Sequence, residues 1–247
     1  TCTCSRISSC GPPPGRAVRR DRRLSAAVGS AVLLSIAVAC SNGEHRATSD
    51  RSTEAALRAS VRVEAEGCTS KALIGAGSFV ADGKVLTVAH VVAGADEVHV
   101  VLADGSRVDA EVVAIDRLKD LAVLDVDSPT LPLPRGTMRP GTRGSFVVYR
   151  NEMPIAQQFE AMSFVDINAP DIDHGGSSLR RGYQLRAQVA SGDSGAVLVA
   201  DGVATGVVFA RSTATNGKAW AVDISEADAL LAAAAASNDA IDIGECV

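Results

Sequence analysis

The sequence predicts an all-β fold, built from two six-stranded antiparallel barrels and closed by a short C-terminal helix. Hydrophobic residues make up 47% of the 247-residue chain but aromatic residues only 3%, and small and β-branched side chains suit short packed strands better than long helices. The apolar residues come in short bursts, several of which alternate with polar residues. Asp-Gly and Asn-Gly pairs, which are typical hairpin turns, separate several of these bursts.

Six bursts predict barrel 1, which we assign to residues 57–127. Arg107-Val-Asp-Ala-Glu-Val112 alternates as a half-buried strand does. Asp82-Gly83 and Asp104-Gly105 supply tight turns, so we expect neighbouring strands to be antiparallel. The six predicted strands are Ser60–Glu66, Leu73–Val80, Val85–Ala89, Val98–Leu102, Arg107–Ile115 and Leu121–Val126.

Three prolines between residues 128 and 134 then interrupt the pattern. Proline removes ladder donors and fixes an extended chain, so we place a linker at residues 128–140. Barrel 2 and the C-terminal helix follow over residues 141–247. Ser225 is the predicted cap of that helix, whose alanine-rich run ends at Ala236. The predicted strands of barrel 2 are Ser145–Tyr149, Ile155–Phe164, Gly182–Val189, Ala196–Ala200, Val203–Phe209 and Ala219–Val222.

Residues 1–39 have the layout of an export signal, which we expect to be removed. The basic stretch Arg16–Arg23 precedes the apolar run Leu24–Ala39, and this run is shorter than a membrane-spanning helix requires. Two chemistries fit cleavage before Cys40. Ala37-Val-Ala39 suits ordinary signal cleavage, whereas Ile36–Cys40 resembles a bacterial lipoprotein box in which Cys40 carries the lipid and attaches the protein to a membrane. A cell-envelope lipoprotein, periplasmic or otherwise, and a freely secreted protein therefore both remain open.

Residues 40–56 are polar, charged and without period, which predicts a flexible tether before the folded domain at residues 57–247. Three of the six cysteines lie in the leader and Cys40 lies at the cleavage point. Cys68 and Cys246 remain as the candidate disulfide, and two separate buried thiols are the alternative. An oxidising compartment outside the membrane would permit the bridge.

The charge of the chain argues against one class of partner. The net charge is −5 with a sequence pI near 5.4, and no basic stripe is evident, so we expect no nucleic-acid partner. No two histidines share metal-ligand spacing and the acidic residues are scattered over turns. We therefore predict no metal and no cofactor.

Ser191-Gly-Asp-Ser-Gly195 places a candidate nucleophile, Ser194, between two glycines at the entry to an apolar strand. Glycines permit a tight turn that can aim the backbone N–H groups of Gly192 and Ser194 at one point, as an oxyanion hole requires. Glycine, serine and aspartate are also the commonest turn formers, so the pentapeptide alone equally fits a plain hairpin.

A serine hydroxyl needs a base, and His90 is the candidate among four histidines. It follows the burst Val85–Ala89 and so lies at a strand end that enters a short helical turn. The others lie in the tether, among alternating strand residues and in a polar loop; they are His45, His99 and His174. A core histidine with a satisfied ring is the alternative for His90.

The base in turn needs a buried carboxylate that orients its ring, and Asp120 is the candidate. It directly precedes the apolar run Leu121–Leu124, which places the carboxylate at the start of a buried strand. Asp116 lies in a polar turn where a solvated ion pair is expected, and Asp125 alternates as an outward strand residue would.

Three ordered blocks together resemble the trypsin/chymotrypsin superfamily of serine peptidases. They are Leu86-Thr-Val-Ala-His90-Val-Val, Asp120-Leu-Ala-Val-Leu and Gly192-Asp-Ser-Gly195. His-Val-Val-Ala-Gly and Asp-Leu-Ala-Val-Leu-Asp-Val look most similar to bacterial HtrA-type and MarP-type periplasmic proteases. The resemblance spans roughly residues 61–247. One departure is Ala196, where the family usually has a second glycine.

The resemblance implies a trypsin-like double barrel, with His90, Asp120 and Ser194 between the barrels. It also implies serine endopeptidase activity on proteins or peptides through an acyl-enzyme. MarP-like enzymes are similar in carrying one cysteine near the domain start and one near the C-terminus, as Cys68 and Cys246 do. By family position, the specificity pocket contains Gln188, Phe209, Ala210 and Arg211. Because no acidic residue lies at the bottom of this pocket, where Gln188 is placed, the resemblance implies a preference for substrates with small or apolar side chains.

Two other kinds of function compete with the enzyme. One is an inactive binding module with the peptidase fold. Such a module usually has one or more triad residues replaced, whereas the three blocks retain His90, Asp120 and Ser194. A surface lipoprotein whose β-domain only scaffolds partners is the other, suggested by the lipoprotein box and the tether.

Overall fold

The structure, a computed structural model, describes residues 50–173 and 175–247. The predicted leader, the predicted lipidation at Cys40 and the first part of the predicted tether lie outside these residues, as do His45 and His174. Within the described ranges, no helix is both long and apolar enough to cross a membrane.

A helix, α1, covers residues 50–59 and packs against the core of the domain. Thr53 Oγ1 lies 2.7 Å from Ser145 Oγ, within hydrogen-bond distance. The buried side chains recur at the spacing of one helical face; they are Ser52, Ala55, Ala56 and Ala59. The predicted tether is therefore wrong over residues 50–56. Alanine and serine bury little apolar area each, so this short face left no strong hydrophobic pattern in the sequence.

The first half of the domain is a seven-stranded antiparallel sheet with a one-turn helix. Its elements are β1 (Ser60–Glu66), β2 (Leu73–Ala81), β3 (Lys84–Thr87), α2 (Ala89–Val92), β4 (Glu97–Val101), β5 (Arg107–Asp109), β6 (Glu111–Asp116) and β7 (Leu121–Asp125). The strand order is β5-β4-β1-β2-β3-β7-β6.

The predicted strand Arg107–Ile115 divides at Ala110. Here the chain leaves the ladder with β4 and enters the ladder with β7. The sheet therefore has seven strands instead of six, and its two edge strands are consecutive in the chain. Closure of this half as a complete barrel stays a prediction.

The second half is a ring of six strands followed by helices. Its elements are β8 (Arg143–Arg150), β9 (Met153–Pro170), β10 (Ser177–Ala187), β11 (Val197–Ala200), β12 (Val203–Arg211), β13 (Lys218–Asp223), a 3-10 turn (Ile224–Ala227) and α3 (Asp228–Ala236). The strands pair in the order β10-β13-β12-β11-β8-β9, and β9 returns to pair with β10. The predicted all-β class with a short C-terminal helix is confirmed.

The β9–β10 hairpin is longer than the sequence predicts. Residues 166–170 pair with residues 177–181 beyond the ends of the two predicted strands. We call these two paired segments the hairpin extension. Most of its residues are polar or charged. A prediction that follows runs of apolar residues therefore ends both strands before their true ends.

Asp223, and not Ser225, caps the C-terminal helical segment. The Asp223 side chain accepts a hydrogen bond from the Ser225 N–H at 2.9 Å, and Ser225 itself lies inside the 3-10 turn. Both residue types are good caps, so preference alone could not choose between them.

The two halves pack directly on each other. The segment predicted as the linker runs between the sheets, where the Leu133 N–H donates to Phe79 O at 2.8 Å and the Gly136 N–H donates to Ala204 O at 2.9 Å. The largest buried apolar cluster contains side chains from both halves, among them Val61, Leu86, Val147 and Val199. A site formed by residues of both halves therefore stands on a continuous core.

Candidate active site

Backbone contacts fix Ser194 in a turn at the entry to β11. Gly195 has φ +88°, and a Cβ added there would lie 2.0 Å from Ala76 O and 2.5 Å from Thr87 Oγ1. Only glycine fits such a position without moving the backbone. The Ala76 N–H donates to Ser194 O at 2.8 Å, so the turn is held against β2 of the first half.

Two donors of this turn, the N–H groups of Gly192 and Ser194, have no acceptor among the described residues. The neighbouring N–H groups are used, since Asp193 donates to Ala190 O at 3.2 Å and Gly195 donates to Val208 O at 2.8 Å. Free backbone donors beside a serine hydroxyl are what stabilisation of an oxyanion requires.

Asp193 ties the same turn to β8 through a two-pronged ion pair with Arg150. Its carboxylate is 0% exposed and lies 2.5 Å and 2.7 Å from the two terminal nitrogens of Arg150. It also accepts a hydrogen bond from the Ala190 N–H at 2.7 Å. The hydrogen bond with Asp193 raises the pKa of the Arg150 guanidinium above its ordinary value. Nothing near Asp193 in the sequence identifies Arg150 as its partner.

His90 lies in α2, directly after β3, as the sequence predicted for a strand end entering a helical turn. Its side chain is 32% exposed, so one part of the ring reaches solvent. His99 differs, because it is buried on β4 and its two ring nitrogens lie 2.9 Å from Asp109 and 3.4 Å from Glu97.

Asp120 lies directly before β7 and contacts His90 at three points. Its carboxylate accepts the backbone N–H of His90 at 2.9 Å and lies 2.8 Å and 3.0 Å from the ring Nδ1. Asp120 is 3% exposed and has φ +59°, a left-handed conformation that aspartate adopts more readily than most residues. The geometry therefore fixes which ring nitrogen faces the carboxylate and leaves Nε2 free to face the cleft.

The rival aspartates have other partners. Asp116 accepts the backbone N–H groups of Leu118 and Lys119 and so shapes the loop before Asp120. Asp125 pairs with the Lys84 ammonium at 2.5 Å. Neither contacts His90.

Gly75 lies between α2, which carries His90, and the turn that carries Ser194. A Cβ added at Gly75 would lie 2.9 Å from Val91 Cγ2 and 3.1 Å from Ser194 O. The Ser194 side chain is half-buried. Within the described part of the chain, its hydroxyl makes no hydrogen bond to His90.

Arg180, on the hairpin extension, is the residue of this site that sequence reasoning missed. It is 2% exposed, and its Nη1 lies 3.4 Å from Asp120 Oδ2. Nothing in the sequence separates Arg180 from the adjacent Arg181. Only the strand register, which turns alternate side chains to opposite faces, could have found it.

The four predicted pocket residues do not share one cavity. Phe209 and Ala210 line a largely apolar cavity of about 590 Å³ that also reaches His90 and Asp120. Gln188 lines a separate cavity of about 310 Å³, and Arg211 lines neither of these two. The larger cavity also contains side chains from both halves, namely Leu73, Ile167, Ile172 and Trp220.

Cys68 and Cys246 form the predicted disulfide, with their Cα atoms 5.6 Å apart. The bridge holds the C-terminal segment beside the end of α2, where a Cβ added at Gly94 would lie 2.2 Å from the backbone nitrogen of Cys246. The alternative of two separate thiols is therefore wrong.

Comparison with known proteins shows the family of the chain. Residues 75–210 match the trypsin-like peptidase domain. Serine protease Rv3671c of Mycobacterium tuberculosis is 32% identical over 186 residues, which cover 72% of this chain and 46% of that protein. A probable periplasmic serine endoprotease, DegP-like, of Halomonas elongata is 48% identical over 60 residues, which cover 24% of this chain and 13% of that protein.

A solved structure gives the same result for the fold. The active form of the Rv3671c protease of M. tuberculosis superposes with a TM-score of 0.72 at 29% identity and covers 79% of this chain and 88% of that one. This chain spans less than half the length of the curated relatives just described. The domain match covers more than half of the chain and includes His90, Asp120 and Ser194. The chain belongs to the trypsin-like peptidase family.

Proposed function

We propose that the protein is a serine endopeptidase, which hydrolyses peptide bonds through an acyl-enzyme and acts outside the cytoplasmic membrane. The observation that carries this proposal is the His90–Asp120 pair. A half-exposed imidazole is held by a buried carboxylate at 2.8 Å, next to the turn that carries Ser194. His99 is paired with the exposed carboxylate of Asp109, whereas the carboxylate beside His90 is buried and the imidazole lies near a serine between two glycines.

The chemistry follows from the atoms that remain free. Ser194 Oγ attacks the scissile carbonyl while His90 Nε2 accepts its proton, and Asp120 stabilises the imidazolium through Nδ1. The N–H groups of Gly192 and Ser194 donate to the oxyanion. His90 then gives the proton to the leaving amine. Water attacks the acyl-enzyme while His90 accepts its proton, and His90 returns that proton to Ser194 Oγ as the acid product leaves.

The nucleophile turn is prepared for this role by the Arg150–Asp193 ion pair. The Asp193 carboxylate accepts hydrogen bonds from the Ala190 N–H and from both terminal nitrogens of Arg150. These contacts fix the residue that directly precedes Ser194. Preorganised donors need no rearrangement when charge develops on the substrate oxygen, which is why they accelerate the reaction.

The cavity beside His90 favours an apolar side chain of the substrate. Most of the exposed lining of this cavity is apolar, with Phe209, Ile167 and Trp220 among the apolar residues, and buried apolar area is the main source of affinity in such a cavity. Gln188 lies in another cavity, so the residue preference next to the cleaved bond rests on the family position alone.

Location outside the membrane rests on the export signal and the disulfide. A bridge such as Cys68–Cys246 forms and persists in an oxidising compartment. Attachment through a lipid on Cys40 and free secretion both fit this location. Incorporation of radiolabelled palmitate into the wild type but not into Cys40→Ser would establish the lipoprotein, and no incorporation into either would leave free secretion.

The second candidate function is a binding module with the same fold. It is favoured by one observation, since the Ser194 hydroxyl has no hydrogen bond to His90 within the described residues. Catalytic hydrogen bonds often tighten only when substrate is bound, so this observation is compatible with an enzyme.

A fluorophosphonate probe, which reacts with activated serine hydroxyls, separates the two functions. We expect labelling of the disulfide-intact wild type at Ser194 and none of Ser194→Ala. Ser191→Ala is the matched control, because Ser191 lies exposed in the same turn and should label like the wild type. An unlabelled wild type with correct fold and intact bridge would leave the binding module as the function.

A further inference from the structure

Arg180 is a charged side chain that is almost completely buried. At 2% exposure it is the largest of the nearly inaccessible side chains among the described residues. Arginine is seldom buried to this extent unless every part of its guanidinium group has a partner. The partners of Arg180 therefore indicate what the residue does.

The guanidinium connects the tip of the hairpin extension with the loop that carries Asp120. Its Nη2 donates to Pro170 O at 3.0 Å, and its Nε donates to Leu118 O at 3.1 Å. The Ser178 hydroxyl donates to the same Leu118 carbonyl. Leu118 precedes Asp120 by two residues, so the backbone just before the carboxylate is held twice from β10.

The remaining partners of the guanidinium lie in the cleft itself. Nη1 lies 3.4 Å from Asp120 Oδ2, the oxygen that is also 2.8 Å from the His90 ring. The guanidinium carbon lies 5.0 Å from the centre of the Phe209 ring, within the range of a cation–π contact. Arg180 thus lies directly behind the His90–Asp120 pair.

Three carboxylates act on the charge of Arg180. Asp120 touches it, and Asp116 and Asp171 act on it from the neighbouring loops. Burial lowers the pKa of the Arg180 guanidinium, and the Asp120 charge opposes this effect. Arginine still keeps its proton throughout the physiological range, so a fixed positive charge stands beside the carboxylate.

We propose that Arg180 is a positioning residue, which holds Asp120 toward His90 and, through its charge, sets the pH range in which His90 acts as a base. This inference rests on the proposed peptidase function. It adds to the three catalytic residues a cation supplied by the second half of the domain, in contact with the carboxylate of the first.

The sign of the effect follows from electrostatics. A cation behind Asp120 offsets part of the negative charge that stabilises protonated His90, so the neutral base is favoured down to lower pH. Removing the cation stabilises the imidazolium. The acid limb of the rate–pH profile should then move to higher pH by roughly one unit.

Arg181 provides a matched control on the same strand. Its side chain is exposed on the opposite face of β10, where its guanidinium carbon lies 5.5 Å from the Phe164 ring centre. Arg181→Met therefore removes the same charge and the same number of atoms one residue away, without touching Asp120.

The experiment measures kcat and KM against pH for wild type, Arg180→Met, Arg180→Lys and Arg181→Met. For Arg180→Met we expect kcat to fall by about tenfold or more with little change in KM, together with the shift of the acid limb. Arg180→Lys keeps the charge but not the planar fork, so it should keep the position of the acid limb while losing part of kcat. Arg181→Met should match the wild type.

If the acid limb of the rate–pH profile of a folded Arg180→Met protein lies at the wild-type pH, the proposal is wrong. Arg180 would then only stabilise the fold. If Arg180→Met does not fold, Arg180→Gln decides the question, because its amide still reaches toward the Leu118 carbonyl without a charge. An unmoved limb in Arg180→Gln contradicts the proposal in the same way.

A second readout does not depend on activity. In ¹⁵N-histidine-labelled Ser194→Ala protein, the pH at which the His90 ring signals titrate should rise by roughly one unit on adding Arg180→Met and should not change on adding Arg181→Met. A protein without peptidase activity but with this shift would contradict the proposed function and retain the role of Arg180. Active wild type without the shift would contradict only the role of Arg180.

Discussion

The two halves of the domain hold their parts of the site in different ways. The first half supplies the proposed base, His90, which is already held in place, since Asp120 contacts both its backbone and its ring at 3.0 Å or less. The second half supplies Ser194 on a turn fixed by its backbone and by the Arg150–Asp193 ion pair. The Ser194 hydroxyl makes no hydrogen bond with any described residue.

This difference indicates how the site is assembled. The orientation of His90 is set by folding, because a buried carboxylate with three contacts has little freedom to move. If Ser194 is the nucleophile, as we propose, we expect its hydroxyl to align with His90 only when substrate is bound. Changes in the first half should therefore act most strongly on the rate, and changes around the turn should act most strongly on stability.

Asp120→Asn tests the first half and should give the largest effect. The amide fits the same space and tolerates the left-handed backbone, but it lets the ring settle in the wrong tautomer. We expect kcat to fall on the order of 10⁴-fold. Thermal stability should fall as well, because the substitution removes the charged partner of the buried Arg180 guanidinium. Steady-state kinetics and a melting curve measure the two quantities.

Asp125→Asn serves as the control for that substitution, because Asp125 lies at the far end of β7 and pairs with Lys84. It should leave kcat within about twofold of the wild type. A rate for Asp120→Asn close to that of the wild type would mean that another group orients His90.

Arg150→Met tests the second half and should act chiefly on stability. It leaves the Asp193 carboxylate buried with the Ala190 N–H but without a counter-charge, and such a loss costs about 3 kcal/mol. Urea unfolding measures this loss, and fluorophosphonate labelling of Ser194 should slow because the turn loses one of its supports. Arg143→Met, on the same strand and paired with Glu160 at the surface, should cost about 0.5 kcal/mol or less. Equal losses for the two variants would show that the ion pair does not hold the turn.

The sequence predicted those parts of the site that depend on local pattern. His90 at a strand end, Asp120 before a buried strand and Ser194 between two glycines are each visible within a few residues, and the structure places all three where those patterns indicated. The Cys68–Cys246 bridge was also accessible, because sorting the cysteines left one pair in the domain.

The parts that the sequence could not predict depend on register and on distant partners. Arg150 reaches Asp193 across 43 positions, and Arg180 reaches Asp120 across 60. No local signal links either pair. The hairpin extension and α1 were missed for a related reason, because polar strand residues and alanines carry too little hydrophobic contrast to mark an element.

Alkaline pH gives the smallest and most local test of the second half, since both tyrosines of the chain lie there. Burial and the nearby Asp223 raise the pKa of Tyr183 to about 12, whereas an unfolded tyrosine ionises near 10. The unfolded chain therefore loses this proton first. The free energy of unfolding should fall as pH rises from about 10 to about 12, by on the order of 2 kcal/mol from this residue.

Tyr183→Phe should reduce that alkaline loss while costing about 1 kcal/mol at neutral pH, since the hydroxyl donates to Met138 O at 3.0 Å. Tyr149→Phe is the comparison, because Tyr149 lies 3.2 Å from Ser60 Oγ at the junction with the first half, and burial raises its pKa as well. Urea unfolding at pH 8 and at closely spaced values above pH 10 measures each contribution. If Tyr183→Phe leaves the fall in unfolding free energy above pH 10 unchanged and Tyr149→Phe removes it, the loss of stability comes from Tyr149 at the junction between the halves and not from Tyr183 inside the six-stranded ring.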